Sequence, residues 1–134
     1  MRLFALPLIS GFLLLACAPK KQPLELNPGQ HVTKVMVRFY RESGSESELT
    51  LTLSDDIKFV VDHLHGLDSR KYDHSSPKFN ITLFISNGEQ VRLRVGKYEI
   101  GPNAPASAKN YHWFPSDTAL YDFLSGKVNG VPDK

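Results

Sequence analysis

The side chains best suited to chemistry crowd between Asp62 and His74, where Asp62, His63, His65, Asp68, Asp73 and His74 place six metal-ligand types within 13 residues. Their spacing argues against a shared ion. His63 and His65 fall at the end of a helical pattern, and at 100° per residue they stand 200° apart, whereas two ligands on one helix need an i, i+4 spacing. A solvated helix flank is the simpler reading, and no metal site is expected. Nucleophilic catalysis has no better footing, because no serine stands in a G-x-S-x-G elbow and the scattered Ser, His and Asp residues form no recognisable triad. Neither a P-loop nor a G-x-G-x-x-G is present, so no cofactor is expected and the chain reads as a non-enzyme.

Two groupings fit binding better. Arg38, Arg92 and Arg94 lie at alternate positions of strand-like runs, interleaved with Tyr40 and Phe84, on faces that the apolar alternation leaves pointing outward. Guanidinium groups offer planar, bidentate contact to phosphate or carboxylate, and exposed rings add stacking area. This set predicts a face for an anionic group. The second grouping is a loop of small residues, 101–108, followed by Tyr111-His112-Trp113-Phe114, with Tyr111 and Trp113 as the candidate recognition residues.

These faces sit behind an N-terminal segment that decides the address. Met1-Arg2 carries one positive charge, residues 3–16 form a 14-residue apolar run, and Cys17, the only cysteine, follows. Such an arrangement reads as a secretory signal peptide, since a membrane-spanning helix needs about 20 apolar residues. Leu14, Ala16 and Cys17 resemble the lipobox of bacterial lipoproteins, with Leu15 standing at a position that is usually small. The resemblance implies diacylglycerol on the Cys17 thiol, cleavage before it, and attachment made essentially permanent by two or three acyl chains. With Ala18 rather than Asp after the cysteine, it also implies the periplasmic side of the cell outer membrane, or the cell surface in a Gram-positive host. A lone cysteine without a disulfide partner suits that role in an oxidising compartment.

The chain holds 16 Lys and Arg against 14 Asp and Glu; the signal peptide removes Arg2 and leaves the mature chain at +1. A balance so even supplies no field for nucleic acid, and the secretory signal removes that partner in any case. Residues 17–31, with three prolines and few apolar side chains, are expected to be the lipidated cysteine and a flexible tether. A single α+β domain is predicted over 32–126, followed by a tail, 127–134.

Within the domain, Thr33, Val35, Val37 and Phe39 alternate on one strand, and Leu49, Leu51 and Leu53 on a second, joined by a polar turn. Ser54 is expected to cap a helix whose stripe is Ile57, Val60, Val61 and Leu64, stopped by Gly66. A second hairpin carries Phe79, Ile81, Leu83 and Ile85 against Val91, Leu93 and Val95, with Asn87-Gly88 expected as a type I′ turn. A short edge strand near 111–114 and a helix from Ser116 to Gly126 complete the order ββαββ(β)α. Asp62-His63-Leu64-His65-Gly66 matches Asp122-Phe123-Leu124-Ser125-Gly126 in outline, which suggests an internal ββα duplication. One antiparallel sheet of four or five strands, with two helices on one face, is the economical packing. The expected function is a lipid-anchored binding or accessory module of the cell envelope, facing a protein, peptidoglycan or lipopolysaccharide partner. The alternative is an immunity, exclusion or inhibitor lipoprotein.

Overall fold

A computed structural model describes residues 22–67, 70–71, 78–102 and 112–132. Alternation of apolar and polar residues produces most of its strands: β1 (Val32–Tyr40), β2 (Glu46–Leu51), β4 (Phe79–Ile85) and β5 (Gln90–Val95). Two short strands, β6 (Glu99–Pro102) and β7 (His112–Pro115), extend the sheet, and a two-residue β3 (Arg70–Lys71) pairs with β7 at its rim. All pairings are antiparallel, in the spatial order β2-β1-β4-β5-β6-β7-β3. Helices α1 (Ser54–Asp62) and α2 (Ala119–Asn129) make this an α+β fold of the expected kind, with seven strands in place of the four or five expected, because β3, β6 and β7 add to the two hairpins.

One sheet face is dry. Val35, Val37 and Phe39 of β1 meet Phe79, Ile81, Leu83 and Ile85 of β4 and Leu93 and Val95 of β5, all buried. Both helices close over this face. Phe59 of α1 stacks on Phe123 of α2 with ring centroids 4.3 Å apart, and Tyr121 of α2 reaches Phe79 of β4 at 5.5 Å. Lys127 Nζ lies 3.0 Å from Asp56 Oδ1, tying the end of one helix to the start of the other.

Several boundaries differ from the sequence reading. Thr33 is exposed and Val32 buried, because the β1–β4 register shifts between Val32 and Lys34, and a bulge exchanges the two faces there. Leu53, expected to face inward, is 66% exposed: β2 ends at Leu51 and Leu53 is already the N-cap of α1, so the cap is not Ser54. Thr118, not Ser116, stands at the start of α2, with Asp117 Oδ1 accepting from the Ala119 amide. The Asn87-Gly88 turn is not a two-residue type I′ turn. Ile85 N donates to Glu89 O and Gly88 N to Ile85 O, which encloses three residues, with Gly88 at φ +93°. The first hairpin closes identically, Arg41 N to Ser45 O and Gly44 N to Arg41 O, with Gly44 at φ +84°. The two hairpins are thus alike, but α1 follows β2 directly whereas β6 and β7 intervene before α2.

Both ends of the domain reach further than expected. The segment 17–31, expected as a tether, is docked from its middle onward: Leu24 is 2% exposed within the core, Leu26 packs beside it, and the Gln22 side chain accepts from the Leu67 amide. The tail expected at 127–134 contains the last turn of α2. Leu120, Leu124 and Val128 repeat at i+4 and are all buried, so the helix runs through Gly126. Burying a valine contributes about 1.5–3 kcal/mol and outweighs the roughly 1 kcal/mol that glycine costs in a helix.

Candidate functional site

The opposite sheet face is uncovered by any described element and carries the arginine set. Cross-strand partners in an antiparallel sheet share a face, so the register arranges the side chains in rows. Met36, Thr82 and Arg92 form one row, and Arg38, Asn80 and Arg94 the next. Lys34, Phe84 and Gln90 form a third, while Tyr40 stands beside Glu46 at the end of β1. Arg38, Tyr40, Phe84, Arg92 and Arg94 therefore all lie on one face, as the alternation implies.

Proximity is less even. Arg38 and Arg94 are two strand spacings apart, about 10 Å, whereas Arg92 and Arg94 are neighbours along β5. Arg38 also has company: its Nε donates to Glu48 Oε2 at 3.2 Å and lies 3.9 Å from Glu46 Oε1. All three side chains are about half exposed, so this is a surface network worth at most about 1 kcal/mol per pair. It nonetheless offsets part of the Arg38 charge. Lys34 Nζ sits 4.4 Å from the Phe84 ring centroid, a cation–π contact that fills the ring's outward side. Sequence reasoning omits Lys34 from the site, although its place two residues before Met36 puts it on the same face. It also omits Glu46 and Glu48, whose partnership with Arg38 depends on the β1–β2 register.

The other candidates separate. Asp62 is taken by Lys58 one turn earlier: their hydrogen bond holds the carboxyl below its usual value and raises the ammonium. His63 turns back on its own helix, its Nδ1 2.7 Å from the Phe59 carbonyl and its ring stacked on Phe59 at 4.1 Å. Among the described residues no three His, Cys, Asp or Glu side chains stand together as ion ligands. Asp68, Asp73, His74, Tyr111, the loop 103–110 and Cys17 lie outside the described residues. Trp113 belongs to β7, where it pairs with Arg70.

One broad cleft, of about 980 Å³, opens between the β1–β2 turn and the end of α2. Arg41 bridges it. Its guanidinium donates to Ser47 Oγ at 2.7 Å and, through Nη2, to the carbonyls of Val131 and Pro132 at 3.4 and 3.1 Å. Those bonds hold the C-terminal residues against the hairpin, and they explain the cleft as packing between two chain segments. Comparison with protein-family models, with curated proteins and with solved structures finds no match for the chain.

Proposed function

We propose that this chain is a lipid-anchored binding module of the cell envelope, attached through Cys17 at the periplasmic side of the outer membrane. It engages an anionic envelope component through the uncovered face of its sheet. The observation that carries this reading is the asymmetry of the sheet: both helices cover one face, and the other displays Lys34, Arg92 and Arg94 around Thr82 and the Phe84 ring. A planar guanidinium pair with a neighbouring hydroxyl suits phosphate or carboxylate groups on a lipid headgroup, a glycan or a protein.

Two measurements test it. Growth with a palmitate analogue should label the wild-type chain and not Cys17→Ser, which should leave the membrane fraction; an unlabelled wild-type protein in the soluble fraction refutes the anchor. The triple substitution Lys34→Glu, Arg92→Glu, Arg94→Glu should abolish binding to lipopolysaccharide or to the cross-linked envelope partner while leaving the melting midpoint nearly unchanged. Undiminished binding by the folded triple variant refutes the site.

A further inference from the structure

The sheet ends at β2, and among the described residues no strand pairs with its outer side. Which backbone groups face that open edge follows from the turn. Arg41 donates its amide to Ser45 O, so the pair Arg41/Ser45 is hydrogen-bonded, and with the continuous β1–β2 register the bonded pairs recur at every second residue: Phe39/Ser47, Val37/Leu49 and Val35/Leu51. The intervening residues, Glu46, Glu48 and Thr50, therefore direct their amides and carbonyls away from β1. Edges are commonly blunted by proline, charged side chains, a bulge or extreme shortness, and of these β2 carries only charge, as Glu46 and Glu48. The far edge, β3, is two residues long, but β2 has six, regular in register and lacking both proline and lysine.

What the edge displays is acidic and apolar in alternation. Glu46 and Glu48 are exposed on the outer sheet face, where Arg38 lies 3.9 and 3.2 Å from them. On the other face Leu49 is only partly covered. A strand laid along β2 places its own side chains about 4.5–5.5 Å from these. We infer that β2 is a strand-addition site for an extended protein segment with basic and apolar residues in alternation. The basic residues stand opposite Glu46 and Glu48, and the apolar ones complete the cover of Leu49. Main-chain bonds to Glu46, Glu48 and Thr50 supply the attachment and the carboxylates supply the selection. A second copy of the chain is the poorer occupant, because joining two β2 strands gathers four carboxylates around two arginines.

The test uses the full chain in detergent and a synthetic ten-residue peptide alternating Lys and Val. Binding should slow hydrogen exchange at the Glu46, Glu48 and Thr50 amides. Thr50→Pro removes one outward donor without touching a β1 bond, a placement that edge strands tolerate, and should weaken the peptide at least tenfold. Glu46→Gln with Glu48→Gln, which leaves the backbone intact, should do the same, as should a peptide with Glu in place of Lys. Protection that appears elsewhere, or unchanged affinity in the folded Gln double variant, overturns the inference. So does concentration-dependent protection of the same three amides without peptide, which would make the occupant a second copy.

Discussion

Thr82 and Leu83 are neighbours in sequence with opposite surroundings. Leu83 is fully buried between Val35 on β1 and Val91 on β5, whereas Thr82 sits on the uncovered face between Met36 and Arg92. Truncating a leucine in such a position leaves a cavity beneath the helices, so Leu83→Ala should cost about 2–5 kcal/mol, a large part of a small domain's stability. Thr82→Ala should cost less than about 1 kcal/mol, and comparison of the two denaturation midpoints checks the register directly. Alternation made this assignment legible from sequence, because a one-residue slip would exchange every inward and outward residue together. The arginine face was legible for the same reason. The company of Arg38 was not: Glu46 and Glu48 lie eight and ten residues along, and only the closing of a three-residue loop rather than a longer one brings them beside it.

At the scale of elements, periodicity located the four long strands and both helices, and the errors gathered at their ends. Gly126 is instructive. Read as a stop signal, it lies inside α2, and a Cβ added there would meet nothing within 4 Å beyond its chain neighbours and the adjoining helix backbone; the helix passes through it because the apolar repeat continues to Val128. Gly126→Ala should therefore stabilise the domain by about 0.5–1 kcal/mol through the helix propensity difference and the narrower unfolded ensemble. A rise of several degrees in the melting midpoint is expected; a fall would mean that the position needs a conformation only glycine adopts. The short strand β6 carried almost no signal, since Glu99-Ile100-Gly101-Pro102 contains two turn-forming residues and one large apolar side chain. Tertiary context makes it a strand. Gly96 N donates to Glu99 O in a tight turn after β5, and fully buried Ile100 pairs with Val95 on one side and Phe114 on the other.

At the scale of the whole molecule, the docked N-terminal arm changes how the anchored domain is held. Composition makes 17–31 look like a tether, because prolines and polar residues outnumber the two leucines; yet Leu24 enters the core and Gln22 caps the loop after α1. Individual apolar residues in a polar segment carry no period, so their burial is invisible until the fold supplies a slot. With the arm docked from Gln22 onward, five residues separate Cys17 from it, a reach of at most about 17 Å, instead of about 46 Å for the whole expected tether. On the proposed anchor, the domain would then ride close to the lipid surface, and partners would have to reach it there. Truncation separates the two descriptions. A chain beginning at Gln22 keeps the docked arm and sets the reference midpoint. A chain beginning at His31 loses Leu24 and Leu26, and the slot they leave should cost about 2–5 kcal/mol, lowering the midpoint by about 10 °C or more. Equal midpoints for the two truncations would mean that the arm rests on the domain without stabilising it, and the long tether would be restored.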